Sequence, residues 1–101
     1  MTVEVCIDSV DQASKAQANG ATRLELCANL NDGGTTPSAG MIEAVCNATA
    51  IPVYTMIRPR PGNFIFTGDE INIMKSDIAI AKSSGAKGVV FGVLQEMAGL
   101  T

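Results

Sequence analysis

Cysteine and glutamate recur at the same spacing in two apolar segments. Glu4-Val5-Cys6 and Glu25-Leu26-Cys27 each place a thiol two residues after a carboxylate. Because side chains alternate along a strand, the Glu and the Cys of each segment would project from the same face. If the two strands pair in the frame that repeats this motif, Cys6 and Cys27 stand side by side, about 4.8 Å apart. Two close thiolates suit a soft monovalent ion such as Cu(I) better than zinc, which takes four ligands.

Met56 lies on a third predicted strand and offers a thioether on the same face. The predicted Cu(I) ligands are therefore Cys6, Cys27 and, as a third, Met56. The alternative is that both cysteines are small apolar residues of the core, where unpaired cysteine usually lies. Cys46 falls on the apolar face of a predicted helix and is assigned to the core. The residue types leave both interpretations of Cys6 and Cys27 open.

A second candidate set for chemistry consists of charged side chains: Glu4, Glu25, Arg58 and Arg60. Arg58 stands where a third strand meets its loop, the position from which barrel enzymes build their sites. Arg58 and Arg60 could clamp a small anionic substrate, with one of the glutamates as general acid or base. The alternative is a buried ion-pair network, because buried charges persist only when they are paired or functional. No reaction follows from these residues, so the sequence leaves open whether the protein is an enzyme.

Composition excludes several classes of protein. The 101-residue chain has no His, which removes imidazole bases, Ser-His and Cys-His nucleophile pairs and His-ligated zinc. It also has no Trp and only four aromatic residues, which argues against base stacking or an aromatic cage. A net charge of −3, without a basic tract, argues against nucleic-acid and anionic-membrane partners. No apolar run approaches the roughly 20 residues that a membrane span needs. Three cysteines without dense spacing do not make a disulfide framework, so we expect a reduced, cytoplasmic setting.

Short β-branched segments alternate with helical ones along the chain. The pattern predicts strands at residues 3–7, 23–27, 51–57 and 87–93. It predicts helices at residues 9–19, 38–47 and 69–85, the first opened by the capping box Ser9-x-x-Gln12. Alternation of this kind indicates parallel strands joined by right-handed crossovers.

The two faces of the predicted strands differ in polarity, which favours a barrel over an open sheet. On the first strand Val3, Val5 and Ile7 share one face, and Glu4 and Cys6 share the other. The second and third strands repeat this contrast. Strands of an open doubly wound sheet are covered by helices on both sides and are usually apolar on both. No G-x-G-x-x-G or P-loop motif follows a strand. We therefore predict an α/β fold of the (β/α)₈ TIM-barrel family, with the polar face lining the lumen.

Six segments together resemble the CutC copper-homeostasis family. They are EVC at 4–6, NGATRLELC at 19–27, GGTTPS at 33–38, IPV at 51–53, MIRPR at 56–60 and GVVFGVL at 88–94. The match runs over nearly the whole chain, and the combination of blocks is highly specific. The resemblance implies a (β/α)₈ barrel, a cytoplasmic setting, a homo-oligomer and a role in copper homeostasis. It also implies that Cys6 and Cys27 are the Cu(I) ligands.

The length of the chain qualifies this resemblance, because a (β/α)₈ barrel needs about 250 residues. Residues 1–101 are therefore expected to be the N-terminal part of one barrel domain, a half barrel of about four βα units. The triplet Pro61-Gly62-Asn63 and residues 95–101 depart from the family pattern. Open sheet edges invite pairing with another chain. The remaining alternative is a truncated fragment with no function of its own.

Overall fold

The computed structural model describes residues 1–91, in which strands and helices alternate strictly. The strands are β1 (Glu4–Ile7), β2 (Arg23–Leu26), β3 (Val53–Met56) and β4 (Gly88–Val90). The helices are α1 (Val10–Ala18), α2 (Ala39–Ala48) and α3 (Gly68–Ser83), and a short 3-10 helix covers Leu30–Asp32. The predicted order of strands and helices is confirmed, although each strand is shorter than predicted. The last two residues of the predicted fourth strand, 92 and 93, lie outside the described residues.

Side-chain caps begin all three α-helices of residues 1–91. The hydroxyls of Ser9 and Ser38 accept hydrogen bonds from backbone amides in the first helical turn, both at 3.1 Å. Thr67 and Glu70 form a complete capping box, so α3 begins one residue earlier than predicted. These caps satisfy amide groups that have no partner within the helix, which is why the helices begin at these residues.

The four strands form one parallel sheet in the order β1-β2-β3-β4. Within residues 1–91, each α-helix lies in the connection between two consecutive strands. The buried core lies between these helices and one face of the sheet. That face is built from the apolar side chains that the alternation predicted, with Ile7, Leu24, Leu26 and Val53 all buried. The architecture is a half barrel of the (β/α)₈ type, as predicted. Within residues 1–91, none of the helices has the length and hydropathy that crossing a membrane requires.

The register between β1 and β2 corrects the frame predicted from the repeated Glu-x-Cys motif. Glu4 pairs with Arg23, and Cys6 pairs with Glu25 rather than with Cys27. The predicted frame would have placed Glu4 directly opposite Glu25, and like charges in that position are destabilising. In the observed frame Glu4 forms an ion pair with Arg23 at 2.9 Å. Charge pairing thus accounts for a shift of two residues, which keeps every side chain on its predicted face.

Candidate functional site

The candidate site is the face of the sheet turned away from the helices, which we call the inner face. Its side chains alternate with the buried ones along each strand, and they are Glu4, Cys6, Arg23, Glu25, Tyr54 and Met56. Cys27 continues the same alternation one residue beyond β2. With Cys27, the inner face carries five of the predicted site residues, and it adds Arg23 and Tyr54, which the sequence had not singled out as site residues.

Glu4, at the start of β1, belongs to a row of contacts that crosses the inner face from β1 to β4. Its carboxylate accepts a hydrogen bond from Arg23 Nε at 2.9 Å. The Arg23 guanidinium lies over the Tyr54 ring, 4.7 Å from its centroid. Gly88 leaves room for that ring, since a Cβ there would lie 2.6 Å from Tyr54 Cε2. Glu4 is therefore an ion-paired carboxylate within residues 1–91, and the pair is partly exposed to solvent.

Cys6 lies two residues after Glu4 on β1 and contacts Glu25. The Cys6 thiol donates a hydrogen bond to Glu25 Oε2 over 3.6 Å. Partial burial raises the pKa of the Cys6 thiol, and the neighbouring Glu25 carboxylate raises it further because a thiolate there would meet a like charge. Cys6 is exposed, so the thiol can be reached from solvent while remaining protonated at neutral pH.

Cys27 is the buried thiol of the inner face, with 2% of its surface exposed. Burial first, and then the charge of Glu25, raises the pKa of Cys27 to about 12. Gly34, from the loop after β2, closes over the sulfur. A Cβ on Gly34 would stand 3.2 Å from Cys27 Sγ and 3.5 Å from Met56 Cε. Gly34 therefore lies against both the thiol of Cys27 and the terminal methyl group of Met56, a contact of the loop that the sequence analysis did not predict.

The observed register places Cys6 and Cys27 diagonally on adjacent strands. Cys27 lies two residues beyond the partner of Cys6, and its amide donates to the Ile7 carbonyl at 2.9 Å. Strand spacing and rise per residue put the two Cα atoms about 8 Å apart, rather than 4.8 Å. The thiols share the inner face but do not stand directly opposite one another. All three cysteines of the chain are free.

Arg58 is a loop-binding residue in this structure, with only 9% of its surface exposed. Its guanidinium donates to the carbonyls of Asp32 at 3.2 Å, Gly34 at 3.1 Å and Gly62 at 2.7 Å. It also stacks on the Phe64 ring, 4.9 Å from the centroid. Arg58 therefore ties the loop after β2 to the loop after β3. Its Nε is buried and has no hydrogen-bond acceptor among the described residues.

Arg60 is engaged within its own loop. It donates to the two carboxylate oxygens of Glu70 at 2.7 and 3.2 Å and to the carbonyls of Asn63 and Ile65 at 2.6 and 2.8 Å. Its guanidinium lies 4.9 Å from the centroid of the Phe66 ring. The bond to the Thr67 amide, and then Arg60, lower the pKa of Glu70. Arg58 and Arg60, the two predicted anion clamps, therefore bind groups of the protein itself. Arg60 contacts its own loop and the start of α3 and does not lie on the inner face.

The arrangement offers sulfur ligands rather than a hard-metal site. No cluster of three or more His, Cys, Asp or Glu side chains among residues 1–91 is placed to hold a metal ion. Two thiols and one thioether remain on the inner face, at Cys6, Cys27 and Met56. Such donors favour Cu(I), which binds sulfur strongly and accepts fewer ligands than zinc.

Known proteins of one family are similar to this chain in sequence. Residues 1–100 match the sequence profile of the CutC family. The chain is 52% identical over 94 residues to a human protein named copper homeostasis protein cutC homolog, covering 93% of this chain and 34% of that protein. It is 49% identical over 98 residues to the CutC family protein of Pasteurella multocida, covering 97% of this chain and 40% of that protein. The chain thus spans about a third to two fifths of these relatives.

A solved structure supports the fold directly. The crystal structure of the CutC protein from Streptococcus agalactiae superposes with a TM-score of 0.86 at 36% sequence identity. The superposition covers 95% of this chain and 48% of that one.

Proposed function

The chain belongs to the CutC family, and we propose that it serves copper homeostasis by binding Cu(I) through Cys6 and Cys27, with Met56 as a third ligand. Relatives at about half identity carry copper homeostasis in their names. Because the chain spans only part of their length, their role comes to this chain as a proposal. Copper is here the cargo of the protein.

The observation that carries the proposal is the placement of sulfur on the inner face. Gly34 lies against both the Cys27 thiol and the Met56 terminal methyl group, and Cys6 lies on β1 on the same face. Since the chain has no His, a borderline metal such as zinc would lack its usual nitrogen ligand. The diagonal offset of the two thiols means that Cu(I) binding requires one side chain to turn toward the other.

Proton release should accompany binding. Both thiols have raised pKa values, that of Cys27 to about 12, so each is protonated at neutral pH. Cu(I) binds thiolate and must displace these protons. The affinity for Cu(I) should therefore increase with pH throughout the neutral range. A pH-independent affinity would contradict thiolate ligation.

A competition titration tests the proposal. The reduced 101-residue chain is titrated with Cu(I) under anaerobic conditions, in competition with a chromophoric chelator. Cys6→Ser, Cys27→Ser and Cys46→Ser variants are titrated in the same way. Cys46 is the matched control, because it lies on α2 against the core rather than on the inner face. The Cys6 and Cys27 variants should each lose at least about tenfold in affinity, and the Cys46 variant should match the wild type. Equal loss in all three variants would reject the assignment.

We further propose that the protein works in the reducing cytoplasm and is homo-oligomeric. Three free cysteines support the compartment, because thiols persist where glutathione and thioredoxin keep them reduced. A fluorescently tagged copy in growing cells should distribute with a cytoplasmic marker. Accumulation in a secretory compartment would contradict the assignment.

A second candidate function is catalysis on a small anionic substrate, and one observation favours it. Arg58 Nε is a buried donor without an acceptor among residues 1–91. An anion that reached it would bind beside the loop carbonyls that hold the same guanidinium. Titration with inorganic phosphate should then shift the Arg58 Nε–H resonance in a nitrogen-detected NMR spectrum and leave that of Arg60 unchanged. Absence of a shift would remove this candidate.

A further inference from the structure

The loop after β2 has a closed base. Ala28 and Thr35 exchange two backbone hydrogen bonds there, at 2.9 and 2.7 Å. Asn29 Nδ2 also donates to Thr35 Oγ1 at 3.0 Å. Residues 29–34, which we call the flap, lie beyond this base and include the 3-10 helix. A loop whose ends are held together in this way is a compact unit, which can open locally while the strand before it stays in place.

Both ends of the flap have backbone conformations in the left-handed region. The angle φ is +51° at Asn29, +89° at Gly33 and +94° at Gly34. Asn and Gly adopt such angles at the lowest cost, and the two adjacent glycines have no Cβ to restrict rotation. These positions can therefore absorb the change of φ and ψ that a hinge requires.

One side chain holds the flap in its closed position. Arg58 Nη1 donates to the carbonyls of Asp32 at 3.2 Å and Gly34 at 3.1 Å. Among the residues that the structure describes, these are the only hydrogen bonds between the flap and the chain outside its own loop. The Arg58 guanidinium is itself fixed by the Gly62 carbonyl at 2.7 Å and by the Phe64 ring. Arg58 is therefore the latch of the flap.

The two thiols of the inner face differ in their access to solvent because of the flap. Cys6 is exposed, whereas Cys27 is the one buried side chain of the inner face within residues 1–91. Gly34 lies against the Cys27 sulfur, since a Cβ there would stand 3.2 Å from Sγ. An ion from solvent can thus meet Cys6 while the flap is closed, and it can reach Cys27 once the flap opens.

We propose that the flap sets the order of Cu(I) loading: Cys6 receives the ion first, and Cys27 binds it when the flap opens. The inference rests on the proposed function. In the first step Cu(I) exchanges a carrier ligand for the Cys6 sulfur, whose proton passes to solvent. In the second step the Cys27 thiol releases its proton and forms the second Cu–S bond in place of a remaining carrier ligand. Copper stays Cu(I) throughout, and Arg58 is a positioning residue because it holds the flap rather than the ion.

Stopped-flow transfer of Cu(I) from its coloured complex with a chromophoric chelator tests the order. In a Cys46→Ser background under anaerobic conditions, we expect a fast phase and a slow phase. The fast phase should be lost in Cys6→Ser, and the slow phase should be lost in Cys27→Ser. A single phase, or loss of the fast phase in Cys27→Ser, would overturn the proposed order.

Replacement of the latch tests the flap. The slow phase should accelerate at least about tenfold in Arg58→Met, because closure then lacks two hydrogen bonds from a charged group. Arg60→Met is the matched control, since Arg60 bonds to its own loop and to the start of α3. Circular dichroism establishes that each variant is folded. If Arg58→Met is not, Arg58→Lys keeps the charge without the planar fork and should accelerate the same phase to a smaller extent. Equal slow-phase rates in the Arg58 and Arg60 variants would overturn the role of the flap.

Reaction of the metal-free protein with an aromatic disulfide reagent separates failure of the flap from failure of copper binding. In a Cys6→Ser/Cys46→Ser background, Arg58→Met should raise the reaction rate of Cys27 at least about tenfold, and Arg60→Met should not. If the reagent shows this difference but Cu(I) binding needs neither thiol, the loading order falls together with the proposed function. If Cu(I) binding needs both thiols but neither rate responds to Arg58→Met, the flap is wrong and the proposed function stands.

Discussion

Replacing Arg58 by methionine tests how the loops above the sheet are held. Arg58 donates three hydrogen bonds to backbone carbonyls of two loops, those of Asp32, Gly34 and Gly62. Hydrogen bonds to a charged group contribute about 1.5–3 kcal/mol each, but water can replace part of them once the loops open. Methionine retains much of the apolar volume. We therefore expect the free energy of unfolding to fall by about 3 kcal/mol, a large part of the 5–15 kcal/mol typical of a domain.

Urea unfolding of the 101-residue chain measures this loss. With a dependence on urea of about 1.5 kcal/mol per molar, the midpoint should fall by about 2 M. Arg58→Lys retains the charge but not the planar fork, and its midpoint should lie between those of Arg58→Met and the wild type. Arg60→Met is the comparison, because Arg60 bonds only within its own loop and the start of α3. It should lower stability by about 1 kcal/mol.

A local measurement separates loop opening from global destabilisation. Arg58 holds the Gly34 carbonyl at 3.1 Å, and Gly34 covers the sulfur of Cys27. In a Cys6→Ser/Cys46→Ser background, alkylation of Cys27 under native conditions should be faster in Arg58→Met than in Arg60→Met. An unchanged urea midpoint together with unchanged alkylation of Cys27 would refute this account of Arg58.

Three further outcomes are expected. Gly34→Ala should lower stability by about 1–2 kcal/mol in urea unfolding, because φ at this residue is +94° and the new Cβ would press on Cys27 Sγ at 3.2 Å; a Gly40→Ala control, in α2, should be neutral or stabilising. Between pH 9 and about 12 the wild type should lose stability faster than Cys27→Ala, because the unfolded Cys27 thiol ionises before the folded one does; parallel pH profiles would exclude this linkage. Gly88→Ala should displace the Tyr54 ring, because the new Cβ would lie 2.6 Å from Tyr54 Cε2. Tyr54 is the single tyrosine of the chain, so the quenching or anisotropy of tyrosine fluorescence should change. An unchanged fluorescence signal would contradict the contact.

Local sequence signals predicted the fold to a large extent. The alternation of β-branched and helical segments predicted the order of elements, because hydrophobic periodicity depends on each element's own face. Ser9, Ser38 and Gly85 marked helix ends through capping and positive φ, which are properties of single residues. The separation of polar and apolar strand faces was predicted for the same reason.

The candidate site was only partly predictable. The faces of Cys6, Cys27 and Met56 follow from alternation, but their mutual distances depend on register, and register depends on which charges meet across the strands. The roles of Arg58 and Arg60 depend on loop carbonyls that approach from far along the chain, 24 residues away in the case of Gly34. No spacing rule in the sequence encodes such a contact.

The sequence by itself determined the class of chemistry: it has no imidazole, and it places thiols, a thioether, carboxylates and guanidinium groups on or next to the strands. It also determined the half-barrel pattern and the family, because both depend on local order and residue type. Only the tertiary structure decided which groups remain available. It pairs Glu4 with Arg23 and Cys6 with Glu25, and it turns Arg58 and Arg60 toward the protein's own loops. The physical reason is that buried or half-buried charges must find partners, and those partners come from distant segments that only folding brings together.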